Sequence, residues 1–251
     1  MTFHNDSNVP ILLYVDTTGK TLYLAVSKGE EMLTHRAIDS TSYRYHSAIL
    51  VPELRALLNE VNLSPNDLSG VVVNIGPGSF TGIRTGLTTV RTIGQWCPQV
   101  LMLPLTQFQI WAMASKQIGL AFPAAYYGDG LRGRAYYSVM NWENAQPKEL
   151  TLPSLITPSE ATTEQVPVAT VFMAEGLMPY WKASLQEQAL TPLSDLSQDM
   201  PKVVHQALID LDASLNRHHP WVKPWEEVLP LYVQRPNITM PKKKQNLASS
   251  C

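Results

Sequence analysis

The stretch NIGPGSFTGIRTG, Asn74 to Gly86, decides how this sequence is interpreted. It follows an apolar run and leads into LTTVRTIGQW, so the pattern predicts a buried strand that turns through glycines into a helix. Such a turn gathers backbone N–H groups at the positive end of the helix dipole, which suits a phosphate. Gly76 and Gly78 allow the tight turn, while Ser79 and Thr81 offer a helix cap or hydroxyl groups to a phosphate.

The standard nucleotide fingerprints are absent from this turn. A P-loop needs Lys followed by Ser or Thr after its last glycine, and here Gly82 precedes the dipeptide IR. A dinucleotide motif would need glycine in place of Thr81. The residues therefore leave two interpretations equally open. The turn is either a phosphate site or a structural turn, capped by Ser79, in which Gly82 and Gly86 allow two helices to pack closely.

A second polar turn follows the first predicted strand, ILLYV at residues 11–15. An acid and two hydroxyl residues at this point could hold Mg²⁺ and a phosphate, or could form an ordinary polar turn. Ligands of open α/β sheets bind at the carboxyl ends of strands, so the two turns predict a shared crevice. The candidate nucleotide site, whether working or vestigial, comprises Asp16, Thr17, Thr18, Gly76, Gly78, Ser79 and Thr81.

The order of predicted elements indicates an α/β fold. Residues 11–38 predict three strands separated by turns at Gly19 and Gly29, and residues 46–61 carry apolar side chains at helical spacing. Strands and helices then alternate up to residue 118. A three-strand meander followed by β–α units is the ribonuclease-H-like arrangement of each half of actin-like folds. We therefore expect an actin-like fold with two subdomains and a mixed sheet.

The chain is richer in proline and less regular beyond residue 119. A strand pair around residues 128–133, a strand within residues 166–176 and a helix over residues 201–215 are predicted there. The expected domains are an N-terminal ribonuclease-H-like subdomain over 9–104, a smaller C-terminal subdomain over 105–236 and a disordered tail over 237–251.

Composition limits the classes of function. The chain has 251 residues, of which 45% are hydrophobic, and this is ample for a packed core. A formal net charge of -2 gives no electrostatic reason to expect tight nucleic-acid binding, and the concentrated basic run, Lys242 to Lys244, lies in the tail. Two cysteines make no disulfide framework, and the sequence shows neither a signal peptide nor a transmembrane pattern. These features predict a soluble cytoplasmic protein.

Five segments resemble the TsaB family of tRNA threonylcarbamoyladenosine biosynthesis proteins in order and spacing. They are VDTTGKTLYLAVS, HSAILVPELRALL, VVVNIGPGSFTGIRTGLTTV, YYGDGLRGRAYYSV and PLYVQRPNI, and the resemblance runs over roughly residues 10–236. The family belongs to the actin-like ATPase superfamily and is similar to the catalytic subunit TsaD. This chain departs from the family pattern at Thr85, where an aliphatic residue is usual, and in GDGLRGRAYY.

The resemblance implies a non-catalytic partner that stabilises and activates TsaD. TsaD would transfer threonylcarbamoyl to N6 of adenosine 37 in tRNAs that read ANN codons, and an ATPase, TsaE, would join the pair and reset it. The chain would need no cofactor, because ATP and Mg²⁺ would be bound by TsaD and TsaE, and it would meet tRNA through the complex. TsaD-like subunits bind a metal through two helical histidines, whereas the matching helix here has His46 alone, so we expect no metal site.

The resemblance also places the partner interface on the two helices that follow the meander. In the family these helices pair with TsaD, and the same surface can pair two copies of TsaB. The first helix has an apolar stripe wider than one face, although the whole stripe could instead be core. Threonines of the second helix would let another helix lie close. The predicted interface comprises His46, Ile49, Leu50, Glu53, Leu54, Leu57, Leu58, Arg84, Thr85, Thr88, Thr89 and Thr92.

Two further functions stay open. The chain could itself be a nucleotide-dependent phosphotransferase or ATPase that uses Asp16, Thr17, Gly78 and Ser79, which predicts saturable ATP binding and turnover. It could also be a homodimeric scaffold unrelated to tRNA. A peptidase is not expected, because the sequence has neither G-x-S-x-G nor H-E-x-x-H.

Overall fold

The structure, a computed structural model, describes residues 9–29, 31–39, 43–144, 146–161, 168–174, 176–181, 190–193 and 222–233. The strands are β1 Ile11–Asp16, β2 Thr21–Lys28, β3 Glu31–Asp39, β4 Gly70–Asn74, β5 Leu101–Leu105, β6 Ala124–Asp129, β7 Ala135–Glu143, β8 Gln146–Glu149, β9 Ser154–Ile156, β10 Thr170–Met173 and β11 Leu190–Pro192. The helices are α1 Tyr43–Glu60, α2 Phe80–Trp96, α3 Gln107–Gln117 and α4 Met178–Trp181. Short 3-10 turns cover Pro65–Asp67, Pro158–Glu160 and Trp225–Glu227.

The first sheet has the strand order β3-β2-β1-β4-β5. The pairs β1–β2 and β2–β3 are antiparallel, whereas β1–β4 and β4–β5 are parallel. This arrangement confirms the predicted mixed sheet that opens with a three-strand meander. Every residue of β4 is buried, as its apolar sequence GVVVN requires of a parallel strand covered on both faces.

The two faces of the first sheet are covered by different helices. Leu13 and Val15 belong to the core that α1 and α2 complete, while Leu12 and Tyr14 belong to the core that α3 completes. Successive side chains of a strand point to opposite faces, so the continuous apolar run of β1 serves both layers. The predicted helices are therefore confirmed as α1, α2 and α3. Pro52, dissonant in the sequence, lies within α1 at an exposed position.

The second sheet has the strand order β11-β10-β6-β7-β8, and β9 also pairs with β7. The predicted strand pair is confirmed as β6 and β7, and the predicted later strand as β10, whereas β8, β9 and β11 were not predicted. Helix α3 packs on this sheet too, because Phe108 and Ala112 share a core with Tyr126 and Phe172. The predicted helix over 201–215 and the predicted disordered tail lie outside the described residues.

Residues 222–233, here the C-terminal segment, return to the first sheet. The Lys223 N–H donates to the carbonyl of Met102 on β5, and the Leu231 N–H donates to the carbonyl of Ile75 after β4. Val228 is fully buried in the core beneath α1 and α2. The predicted second subdomain included these residues, but their described contacts are with the first sheet and α2. The subdomain bounds stay a prediction.

None of the helices in the described ranges has the length and apolar character that a membrane crossing needs.

Replacing Val228 by alanine tests how much the C-terminal segment stabilises the first sheet. We expect Val228→Ala to lower the free energy of unfolding by about 2 kcal/mol, because it removes buried methyl groups and leaves a cavity. Leu229→Ala is the matched control, since the Leu229 side chain is 58% exposed. Denaturation in urea measures both. Equal effects of the two substitutions would contradict the described packing of this segment.

Candidate functional site

The two polar turns predicted to share a crevice lie side by side at the carboxyl end of the first sheet. The Ser79 N–H donates to the carbonyl of Thr18 over 2.7 Å. The hydroxyl of Thr17 donates to the carbonyl of Gly82 over 2.7 Å. The turn after β1 is thus hydrogen-bonded directly to the start of α2, with no space between the bonded atoms for a ligand.

The Asp16 carboxylate is buried and receives its hydrogen bonds from the protein itself. Its Oδ1 accepts from the backbone N–H and the hydroxyl of Thr18, both at 2.8 Å. Its Oδ2 accepts from Asn74 Nδ2 at 2.8 Å and from the Tyr14 hydroxyl at 3.1 Å. A buried carboxylate with donors on both oxygens avoids the large cost of an unpaired buried charge. This set, with Gln107, forms what we term the Asp16 network.

Asn74 and Gln107 tie the Asp16 network to the glycine-rich turn, and sequence reasoning missed both. Asn74 Nδ2 donates to Gln107 Oε1 over 2.7 Å, and Asn74 Oδ1 accepts from the Gly76 N–H at 2.9 Å. The Gln107 N–H donates to the carbonyl of Gly76 over 2.8 Å. Asn74 ends β4 and Gln107 follows β5. Polar residues at the ends of these neighbouring parallel strands were the signal that could have found them.

Burial raises the pKa of Tyr14 well above its ordinary value, and the charge of Asp16 and the hydrogen bond to it raise the pKa further. The Tyr14 hydroxyl therefore keeps its proton at neutral pH and remains a donor to the carboxylate. The Tyr14 hydroxyl, the Thr18 hydroxyl and the Asn74 amide are thus neutral donors to the same side chain.

Three glycines let the turn after β1 lie against α2. A Cβ added at Gly82 would lie 1.9 Å from the carbonyl oxygen of Thr17, and one at Gly86 would lie 2.5 Å from its hydroxyl oxygen. At Gly78 a Cβ would lie 2.6 Å from the carbonyl oxygen of Thr18. Real Cβ atoms do not approach so closely, so only hydrogen fits at these positions. At Gly78, Gly82 and Gly86 the neighbouring atoms are therefore those of Thr17 and Thr18 in the turn after β1.

The structure brings together six of the seven predicted nucleotide-site residues. They are Asp16, Thr17, Thr18, Gly76, Gly78 and Ser79. Ser79 caps α2, since its hydroxyl accepts from the Gly82 N–H at 3.1 Å. Thr81 is exposed, and its carbonyl accepts from the Thr85 hydroxyl. In the described part of the chain no group of three or more His, Cys, Asp or Glu residues could hold a metal ion.

A groove of about 570 Å³ runs between α1 and α2. Leu54 and Leu58 lie at its base, being 6% and 4% exposed, and Val51 stands on its rim at 58%. The full lining, here the α1–α2 groove, is Val51, Leu54, Arg55, Leu58, Asn59, Leu63, Ser64, Pro65, Thr88, Thr89, Thr92 and Ile93. Five residues of the predicted interface, Leu54, Leu58, Thr88, Thr89 and Thr92, therefore line one open groove.

Three threonines of α2, Thr88, Thr89 and Thr92, line one side of this groove. The Thr85 hydroxyl donates to the Thr81 carbonyl at 2.9 Å, that of Thr89 to Thr85 at 3.0 Å, and that of Thr92 to Thr88 at 2.8 Å. Each hydroxyl is thus bonded to its own helix, four residues back. With their hydroxyls bonded to the helix, Thr89 and Thr92 contribute small side chains to the lining of the groove.

The structure corrects part of the predicted interface. Leu50 and Leu57 are fully buried in the core beneath α1, so they cannot contact a partner in the folded chain. Ile49 is half-buried and packs against the same core. For these residues the apolar stripe is core, because the sheet beneath the helix needs covering as well. Glu53 is half-buried and Arg84 is exposed, while the side chain of His46 lies outside the described residues.

A polar cleft of about 570 Å³ lies between the start of α3 and the β7–β8 hairpin. Thr106 caps α3 there, with its hydroxyl accepting from the Gln109 N–H. Glu149 is half-buried at the same place, and its carboxylate accepts from the Thr106 hydroxyl at 3.4 Å. Burial raises the pKa of Glu149, and the hydrogen bond from Thr106 partly opposes that rise.

Comparison with known proteins adds a family and several relatives. The family model described as "TsaD: tRNA N6-adenosine threonylcarbamoyltransferase" matches residues 35–218. The tRNA threonylcarbamoyladenosine biosynthesis protein TsaB of Bacillus subtilis (strain 168) is 29% identical over 136 residues, which cover 53% of this chain and 56% of that protein. The chain thus spans about half the length of this curated relative.

Two solved structures from Pseudomonas aeruginosa share the fold. One, described as an uncharacterized protein with similarity to peptidase YeaZ, has a TM-score of 0.69 at 19% identity and covers 90% of this chain and 100% of its own. The other, YeaZ, has a TM-score of 0.66 at 18% identity and covers 89% of this chain and 99% of its own. Together with the two sheets, they confirm the predicted actin-like α/β fold.

Gly82→Ala tests the contact between the turn after β1 and α2. Alanine is normally favoured over glycine inside a helix by about 1 kcal/mol. Here we expect a loss of about 3 kcal/mol in the free energy of unfolding, because the added Cβ would overlap the Thr17 carbonyl. Gly19→Ala is the control, since its nearest neighbouring atom would lie 4.0 Å away. If denaturant titration showed both variants equally stable, the close contact would be refuted.

The pH dependence of the stability of Glu149→Gln tests whether burial in the polar cleft raises the pKa of Glu149. Because the pKa of Glu149 is raised in the folded chain, folding favours the protonated carboxyl. The contribution of Glu149 to the free energy of unfolding is therefore present below the ordinary pKa of 4.5 and is lost as the pH rises through the folded pKa. We therefore expect Glu149→Gln to be more stable than the wild type at about pH 7 and equal to it at about pH 4.

The matched control is Glu143→Gln. A hydrogen bond from Lys148, followed by one from Asn141, lowers the pKa of Glu143. Its stability contribution is therefore present above the ordinary value and is lost as the pH falls. Glu143→Gln should gain nothing at about pH 7. Thermal denaturation at the two pH values measures both variants, and a gain by both would contradict the assignment.

Proposed function

This chain belongs to the family described as TsaD, tRNA N6-adenosine threonylcarbamoyltransferase, and from that premise we propose that it is a non-catalytic partner of a TsaD-type subunit. It stabilises and activates the transferase, which places threonylcarbamoyl on N6 of adenosine 37 of tRNA. The similarity to the Bacillus subtilis protein supports this assignment. The observation that carries it is the closed Asp16 network.

Closure of the network favours a scaffold over an enzyme. An ATPase would need Asp16 or its neighbours to reach a metal or a phosphate, yet both carboxylate oxygens are already bonded to donors of the chain. Opening the site would leave a buried carboxylate unpaired and would separate the Thr17 backbone from α2. The chain's own residues therefore hold this region shut, and the nucleotide is bound by the partners.

The α1–α2 groove is the surface on which the TsaD-type subunit docks. Its base is apolar, its α2 side is lined by small threonine side chains, and its rim carries Arg55 and Asn59. A partner helix with small side chains could lie along this wall and insert an apolar side chain over Leu54 and Leu58. A TsaE-type ATPase joins the pair, tRNA is met through the complex, and the assembly works in the cytoplasm. A second copy of this chain is the competing occupant.

Titration calorimetry with Mg-ATP separates this proposal from the alternative of a nucleotide-dependent phosphotransferase or ATPase. For the isolated chain we expect no saturable heat, because the space between the two turns is filled by the backbone at Gly78 and Gly82. A TsaD-type subunit from the same organism should form a heterodimer with the chain. Saturable ATP binding with turnover by the chain alone would overturn the non-catalytic assignment.

Thr88→Arg tests the docking surface. Thr88 is exposed on the wall of the groove, so a long cation there should leave the fold intact and weaken pairing by at least about 100-fold, because the charge would be buried without a partner. Ile118→Arg is the control, since Ile118 is 55% exposed beyond the end of α3. Calorimetry with the TsaD-type subunit measures both. Unchanged pairing by Thr88→Arg would exclude the groove as the docking surface.

A further inference from the structure

Two aromatic rings stand exposed where α2 meets the C-terminal segment. The centroids of Phe80 and Tyr232 are 5.0 Å apart, with their planes inclined by 31°. The two residues are 41% and 39% exposed. The guanidinium carbon of Arg84 lies 5.3 Å from the centre of the Phe80 ring. These three residues, here the Phe80 cluster, form an apolar surface with one cation at its edge.

The cluster is held in place from both sides. Phe80 follows Ser79, whose hydroxyl caps α2, and Tyr232 follows Leu231, whose N–H is bonded to the carbonyl of Ile75. Val228, four residues before Tyr232, is anchored in the core. The backbone that carries each ring is therefore fixed before any partner arrives. Little conformational entropy would be lost on binding, which is a property of good anchor residues.

The cluster continues the wall of the α1–α2 groove. Arg84, Thr88 and Thr92 follow one another at intervals of four residues and are all exposed, so they share one face of α2. The Phe80 ring lies at the amino end of this face, next to Arg84. Tyr and Arg are the residue types that carry much of the energy in protein interfaces. A straight partner segment that lies along the groove would therefore also contact the Phe80 cluster.

The charges around the cluster favour a protein occupant over a nucleic acid. Strands of nucleic acid that stack on aromatic rings are also held by several cations along the phosphate backbone. The exposed residues that follow Arg84 on α2 are uncharged, namely Thr88, Thr92, Gln95 and Trp96, and the half-buried Arg91 lies over the Trp225 ring. The chain as a whole has a formal net charge of -2. One guanidinium beside two rings instead fits an apolar side chain flanked by a carboxylate.

We propose that the Phe80 cluster is a second anchor for the TsaD-type subunit, which covers the two rings with an apolar side chain and places a carboxylate beside Arg84. The inference rests on the proposed function and extends its interface beyond the groove. The C-terminal segment thereby supplies a contact residue, Tyr232, to a surface otherwise built from α1 and α2.

The test is the affinity between the full chain and a TsaD-type subunit from the same organism, measured by calorimetry. We expect Phe80→Ala and Tyr232→Ala each to weaken pairing by roughly 30-fold, whereas Tyr232→Phe, which keeps the ring, should pair almost as well as the wild type. Leu152→Ala is the matched control, because Leu152 is 84% exposed in the segment that follows β8. Arg84→Gln should weaken pairing less at high salt than at low salt.

A structural role would give a different pattern. If the rings only secured the C-terminal segment, Phe80→Ala and Tyr232→Ala would lower the thermal midpoint, and pairing measured well below that midpoint would be unchanged. That result would overturn the inference, as would wild-type pairing by alanine variants of normal stability. If the alanine variants paired normally but their complexes lost affinity for tRNA, the cluster would be a nucleic-acid contact and the inference would again be wrong.

The same measurements separate the inference from the proposed function. Absence of any complex between the wild-type chain and the TsaD-type subunit would overturn the proposed function. A wild-type complex that Thr88→Arg disrupts, but that Phe80→Ala and Tyr232→Ala leave intact, would uphold the proposed function and overturn the second anchor alone.

Discussion

The contact between the turn after β1 and the first turns of α2 is the constraint on which the rest of the structure depends. At Gly82 the two backbones come so close that a Cβ would lie 1.9 Å from the Thr17 carbonyl oxygen. This contact fixes the position of α2, and α2 in turn forms one wall of the α1–α2 groove and carries Phe80 and Arg84. The glycines that suggest a phosphate site in the sequence thus determine the geometry of the α1–α2 groove.

The Asp16 network stabilises the close contact between the turn after β1 and α2. Burying a carboxylate is costly unless donors meet both oxygens, and here the donors come from β1, the turn after it and β4. Asn74 also donates a hydrogen bond to Gln107 at the start of α3, a helix that packs on both sheets. The hydrogen bonds around Asp16 therefore reach from the first sheet to the start of a helix that packs on both sheets, and displacing any of the partners would disturb more than the local turn.

The sequence predicted the meander, the β–α alternation and the proximity of the two turns, because apolar periodicity and glycine placement are local signals. It could not separate the fully buried leucines of α1 from those at the base of the groove, since Leu50 and Leu54 have the same hydrophobicity and are 0% and 6% exposed. Asn74 and Gln107 were missed because their pairing depends on the register of β4 and β5. Short strands such as β8 carry too few residues to show alternation, and the return of the C-terminal segment depends on contacts far apart in the chain.

The position of the C-terminal segment against the first sheet also affects how the chain folds during synthesis on the ribosome. When synthesis has reached residue 221, β5 still lacks its bridge to Lys223 and the core beneath α1 and α2 still lacks Val228. The core of the first sheet therefore stays incomplete until more than a hundred further residues have been added after β5. Contacts between residues so far apart in the chain generally slow folding, and an apolar core that stays incomplete in the meantime favours aggregation.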